Sequence, residues 1–109
     1  MSVALVVPCF NEASRWNSTY WKEMLASVPA QFLFVDDGSR DATRERILDT
    51  ITGMTGGYLH LPSNRGKAEA VRVGMLELLA DHSFAHVGFL DAAGGYCPND
   101  VNRVMTCLE

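Results

Sequence analysis

Four short apolar runs, Val3–Val7, Phe32–Val35, Tyr58–Leu61 and Val87–Leu90, alternate with stretches each long enough for one helix. Strands separated by a helix cannot pair as hairpins, so they enter one parallel sheet through crossover connections. Val3-Ala4-Leu5-Val6-Val7 has no polar alternation, which is the pattern of a strand covered on both faces. The expectation is a Rossmann-like three-layer α/β/α domain with a mostly parallel four-stranded sheet. With 109 residues and no linker, repeat or low-complexity tract, residues 1–109 read as a single domain.

The punctuation of the chain sets the predicted boundaries. Pro8 is expected to halt the first strand and open a loop from Pro8 to Ser14. Trp16, Tyr20, Trp21, Met24, Leu25 and Val28 recur at mostly three- and four-residue steps, which predicts one helical face ending at Pro29. A second helix is predicted over Asp41–Met54 with Ile47, Leu48 and Ile51 inward, and a third over Lys67–Ala80 with Val71, Met75, Leu78 and Leu79 as its stripe. The last, Pro98–Leu108, carries Val101, Val104, Met105 and Leu108, with Pro98 in a favoured first-turn place.

Three of the four strands run into loops rich in ligand-type residues: Pro8-Cys9-Phe10-Asn11-Glu12, Asp36-Asp37-Gly38-Ser39 and Asp91-Ala92-Ala93-Gly94. Parallel strands bring these loops to one edge of the sheet, where open α/β folds bind ligands. In the second loop two carboxylates meet a glycine that turns sharply at low steric cost, and Ser39, Asp41 or Thr43 can cap the following helix. Asp37 as a helix cap and Glu12 as solvated surface are the plainer alternatives. Lys67 and Arg65 flank Gly66 at a helix start, where free N–H groups and the helix dipole favour anions.

Composition narrows the partners. Asp and Glu outnumber Lys and Arg by 13 to 9 and no basic stripe is present, so a nucleic-acid partner is not expected. Cys9, Cys97 and Cys107 form no CxxC pair or disulfide framework, which points to a reduced, cytoplasmic setting. Val3–Val7 is too short to cross a bilayer and no basic leader precedes it, so no membrane segment or signal peptide is expected. His82 and His86 are four apart, but Ser83 and the fourth strand interrupt the helix a zinc pair would need. Cys9 reads as a packed thiol, and Trp16, Tyr20 and Trp21 as core or partial interface rather than a sugar platform.

The blocks Val6-Val7-Pro8-Cys9-Phe10-Asn11-Glu12-Ala13, Phe34-Val35-Asp36-Asp37-Gly38-Ser39-Arg40-Asp41-Ala42-Thr43, Asn64-Arg65-Gly66-Lys67 and Asp91 occur in one order over nearly the whole chain. In this the chain resembles the N-terminal, nucleotide-sugar-binding half of family 2 glycosyltransferases with the GT-A fold. Asn64–Lys67 followed by Ala70-Val71-Arg72-Val73-Gly74-Met75 looks most like the enzymes that move glucose from UDP-glucose to a dolichyl-type polyprenyl phosphate. The resemblance implies a nucleotide-sugar site of Pro8, Phe10, Asn11, Glu12, Asp36, Asp37, Gly38, Ser39, Arg65, Gly66, Lys67 and Asp91. It also implies a lipid-linked phosphate or glycan acceptor, and a cytoplasmic protein lying at the membrane surface when full-length. Family members usually close the fourth strand with Asp-x-Asp, which holds Mg²⁺ or Mn²⁺. Here Asp91 matches the first acid and Ala93 stands in place of the second, so metal binding at Asp91 is in doubt.

No catalytic residue is assigned within these residues, and a fragment truncated before the acceptor half is expected to be inactive alone, with homodimerisation through an exposed sheet edge. Three other classes compete. A dinucleotide-dependent oxidoreductase is set aside because Pro8–Ala13 stands where GxGxxG belongs. A phosphoacceptor receiver domain shares the length and clustered acids, but would pair its acids after the first strand. A noncatalytic nucleotide-binding or protein-interaction module is favoured by Ala93.

Overall fold

The computed structural model describes residues 2–81 and 83–108, so His82, and with it the histidine pair set aside above, lies outside the described residues. Strands β1 (Val3–Cys9), β2 (Gln31–Asp37), β3 (Gly57–Leu61) and β4 (His86–Phe89) form one parallel sheet in the order β3-β2-β1-β4. Helices α1 (Ser18–Ser27), α2 (Thr43–Ile51) and α3 (Lys67–Leu79) connect them, and α4 (Pro98–Leu108) follows β4. The predicted fold class and all four strands are therefore found. No helix among the described residues is long and apolar enough to cross a membrane.

Strand alternation sorts the core into two layers. Val3 and Val7 of β1 and Phe32 and Phe34 of β2 pack with α1, α2 and α4, whereas Ala4, Val6, Leu33 and Val35 pack with α3. On the first face Trp21 is fully buried and meets Phe34 edge-on at 5.3 Å. On the second face α3 lies unusually close to the sheet. A Cβ at Gly74 would come within 2.8 Å of Val6 Cγ1 and 2.9 Å of Val35 Cγ2, so only glycine permits that approach.

Several boundaries differ from expectation for identifiable reasons. Pro8 does not halt β1, which continues to Cys9. Val6 accepts the Leu90 N–H on the β4 side, so Pro8, two residues on, turns its missing N–H the same way, beyond the last β1–β4 pair at Val6–Phe89. Trp16 is not part of α1. It follows a short 3₁₀ turn (Ala13–Arg15), and Asn17 caps α1 by accepting the Tyr20 N–H at 3.0 Å. Trp16 still joins the core, stacked on Trp21 at 6.0 Å with its indole N–H donated to Thr50 Oγ1. The second helix is shorter than Asp41–Met54, because Asp41 stays outside as an acceptor for the Thr43 N–H and the backbone turns extended at Thr52.

Helix faces shifted too. The buried line of α3 is Ala70, Gly74 and Leu78, leaving Leu79 exposed. On α4, Val101 and Met105 are buried while Val104 and Leu108 remain exposed beside the open edge of β4.

Candidate functional site

A cavity of about 380 Å³ opens at the carboxyl ends of the strands, lined by residues of all four strand-end loops. Its place is dictated by topology. The chain leaves β1 toward β2 on one side and returns through α3 to add β4 on the other, so the loops after β1 and β4 diverge and leave a crevice between them. The volume lies in the range of small-molecule sites. Of the expected residues, Pro8, Phe10, Glu12, Asp37, Lys67 and Asp91 line this cavity together with Cys9, Asn64, Ala92, Ala93 and Gly94.

The first and second loops are stitched together by side chains of the second. Ser39 Oγ accepts the Asn11 N–H at 2.9 Å, Thr43 Oγ1 accepts the Glu12 N–H at 2.8 Å, and Asp41 Oδ2 accepts the Ala13 N–H at 3.2 Å. In return Asn11 Oδ1 accepts the Arg40 N–H, and Asn11 takes a left-handed φ of 48°, which asparagine tolerates. Ser39, Asp41 and Thr43 thus serve mainly to hold the first loop; the N-cap of α2 is Ala42, which offers no side-chain bond, and Asp41, one residue before it, accepts the Thr43 N–H. Burial opposes its charge, yet hydrogen bonds from Thr43 and Ala13 hold the Asp41 carboxyl below the usual range.

The paired carboxylates at the end of β2 face different partners. Asp36 is buried and accepts the Ser39 N–H and the Tyr58 hydroxyl, the latter at 2.8 Å. Burial, followed by that hydrogen bond, pushes the Tyr58 phenol well above the ordinary tyrosine range. Asp37, also buried, accepts the Arg65 and Gly66 N–H groups, each at 2.9 Å. Asp37 thereby fixes the loop before α3. Gly38, at φ 69°, lies under that loop; a Cβ there would sit 2.4 Å from Asn64 N. Arg65 and Gly66 enter the site through these amides and do not line the cavity, and neither do Asn11 and Asp36. Gly38 and Ser39 line a second opening with Phe10, Arg40, His60, Pro62, Ser63 and Asn64.

The fourth loop is anchored from α1. Trp21 donates its indole N–H to the Ala92 carbonyl at 3.2 Å, and the Tyr20 hydroxyl donates to the Tyr96 carbonyl at 2.7 Å. These contacts keep Trp21 and Tyr20 out of the cavity, as the core reading expects. They also present Asp91 to Lys67, the first residue of α3, with which it forms an ion pair. The Lys67 ammonium lies 5.5 Å from the centre of the Phe89 ring.

A divalent cation does not fit the side chains present. Three carboxylates line the cavity and each is engaged: Glu12 by the Arg15 guanidinium at 2.7 and 3.0 Å, Asp37 by two amides, and Asp91 by Lys67. Ala93 lines the cavity without a side-chain oxygen, and among the described residues no three His, Cys, Asp or Glu side chains are grouped to hold a metal. Cys9 is buried at 1% exposure, an environment that disfavours the nucleophilic thiolate. Burial first, then the charges of Glu12 and Asp36, push its thiol well above the ordinary range.

The residues that sequence reasoning missed are the supports. Asn64 sat inside a recognised block and was passed over for its charged neighbours. Tyr58 carried no signal, since its contact with Asp36 depends on the register that pairs Asp36 with His60.

The fold is shared with three solved structures. The mannosyltransferase PcManGT from Pyrobaculum calidifontis, solved with GDP-Man and Mn²⁺, matches at 19% identity over 70% of this chain and 24% of its own, with a TM-score of 0.60. TarS from S. aureus matches at 22% identity over 85% of this chain and 17% of its own, with a TM-score of 0.66. A TarS structure of residues 1–349 matches at 19% identity over 97% of this chain and 32% of its own, also at 0.66. The chain thus spans a third or less of these proteins, and its sheet corresponds to the N-terminal half of a GT-A fold. No curated protein sequence matches it. The family model for glycosyl transferase family 2 matches residues 4–106, nearly the whole chain, and the chain belongs to that family.

Proposed function

We propose that the cavity at the strand ends is the donor site of a glycosyltransferase that takes a UDP-sugar and passes its hexose to a polyprenyl phosphate. The observation that carries the donor reading is the convergence of unlike groups in one cavity. Pro8 and Phe10 offer apolar surface for a base, and Phe10 is partly exposed there. The Asp37 oxygens keep lone pairs beyond the two amides they serve, enough to accept from a base N–H. Lys67 supplies a cation for a diphosphate, and Asp91 an acceptor for a ribose hydroxyl. Membership of family 2 supports a nucleotide-sugar donor. The preference for uridine and for a lipid phosphate rests on the resemblance at Asn64–Lys67; GDP-Man in PcManGT makes guanosine the competing base.

Titration calorimetry of the 109-residue chain with UDP, GDP and UDP-glucose tests this. Saturable UDP binding stronger than GDP binding is the expected result. Stronger GDP binding replaces the base, and binding of neither refutes the donor site. An ionised phosphate acceptor needs no general base, but the chain spans a third or less of the glycosyl transferase fold neighbours it matches, so transfer of labelled glucose by this chain alone is expected to be absent. Ala93 favours one second reading, a noncatalytic module, for which the signature is a melting temperature unmoved by any nucleotide.

A further inference from the structure

We infer that this cavity takes a nucleoside diphosphate without a divalent cation, the Lys67 ammonium being the resident counter-charge; this rests on the donor-site reading above. Mg²⁺ and Mn²⁺ demand a shell of oxygen ligands, and protein sites supply it mainly through free carboxylates. In this cavity every carboxylate already has a partner, and no second acid among the described residues stands beside Asp91 to share an ion. Glu12 is held by Arg15 and Asp37 by two backbone amides, and Asp91 by Lys67, while position 93 contributes only a methyl group.

Lys67 is placed as a fixed cation would be. Its backbone opens α3 directly after Gly66, whose N–H is locked on Asp37, so the helix start cannot drift from the end of β2. Its side chain is steered into the cavity by Asp91 on one side and the Phe89 ring at 5.5 Å on another. An ammonium has three N–H donors. Asp91 engages it through one oxygen, which leaves donors for phosphate oxygens. On this account Asp91 is a positioning residue for Lys67, and the charge that a metal brings to other members of a metal-using site is supplied by the chain itself.

The test is calorimetric titration of UDP and GDP into the 109-residue chain and its Lys67→Met variant, each in Mn²⁺ and in excess EDTA, with the bare nucleosides as a control for the base pocket. The wild-type dissociation constant is expected to agree within about twofold between Mn²⁺ and EDTA, and Lys67→Met to weaken the diphosphate about tenfold or more while leaving nucleoside binding unchanged. Wild-type binding that strengthens about tenfold in Mn²⁺ and collapses in EDTA overturns the inference and leaves the donor site standing. Equal diphosphate affinity of wild type and Lys67→Met in EDTA also overturns it. Absence of diphosphate binding under every condition refutes the donor site itself, and the inference with it.

Discussion

Replacing Asp37 by asparagine removes one negative oxygen from a buried place where both oxygens are used. Asp37 is 2% exposed and accepts the Arg65 and Gly66 N–H groups at 2.9 Å each. Asparagine keeps one acceptor and turns an NH₂ group toward the other amide, donor against donor. A hydrogen bond to a charged acceptor contributes about 1.5–3 kcal/mol, and a buried orphan donor costs about 1–3 kcal/mol; with partial relaxation, Asp37→Asn should lose about 2–4 kcal/mol. For 109 residues, an unfolding entropy of about 2.1 cal/mol/K per residue converts each kcal/mol into about 4 °C, so the melting temperature should fall by about 8–17 °C. Thermal melts by circular dichroism and urea titrations measure the loss. Hydrogen exchange at the Arg65 and Gly66 amides should accelerate along with it. Asp49→Asn, at an exposed position of α2, is the control and should stay within about 0.5 kcal/mol of wild type. An Asp37→Asn chain that melts within about 2 °C of wild type would refute the role assigned to this carboxylate.

Gly74→Ala should destabilise even though alanine favours helix by about 1 kcal/mol, because the new methyl meets buried Val6 and Val35 at under 3 Å and overpacking costs about 1–3 kcal/mol; a more stable variant in urea would show that α3 can lift off the sheet. Cys97 and Cys107 are exposed and should react with iodoacetamide at pH 8, whereas Cys9, buried and with its thiol raised, should stay unmodified until the chain unfolds; peptide mass mapping decides it. The Tyr58 phenol is raised in the folded chain, so above about pH 10 the folded state holds a proton that the unfolded state has released, and stability should fall as pH rises through that range. Tyr58→Phe should flatten this decline in urea midpoints between about pH 9 and 11, at the cost of leaving Asp36 Oδ2 without its hydroxyl partner; an unchanged alkaline slope would remove Tyr58 as its source.

The strands and their order of succession were legible because continuous apolar runs such as Val3–Val7 have few alternative placements, and the helix-length spacers left only a parallel sheet. The convergence of Pro8, Phe10, Glu12, Asp37, Lys67 and Asp91 on one cavity followed from the same reasoning, since parallel strands share an edge. What was not legible depended on contacts far apart in sequence. Whether Pro8 stops β1 turns on where β4 ends, and β4 is built from residues near the other end of the chain. The partners of Asp37 come from the loop before α3, and nothing near Asp37 announces them. The stripe on α4 was visible in Val101, Val104, Met105 and Leu108, but periodicity says which residues share a face and not how much of that face finds a surface to cover it. The start of α1 is set by Asn17, whose side chain accepts the Tyr20 N–H, whereas helical spacing alone carries the face back to Trp16.

The sheet order β3-β2-β1-β4 also has a kinetic consequence. The β1–β2 and β2–β3 ladders join neighbouring segments and can assemble progressively, but the ladder that seats β4 beside β1 joins Val3 to His86 and closes a loop of about three-quarters of the chain. That closure bears the largest entropic penalty and should come last. Until it does, Asp91 is absent from the cavity and Lys67 has no partner. Nucleotide binding would then appear in refolding only with the final, slowest phase, so that a ligand added during folding reports completion of the sheet rather than its beginning.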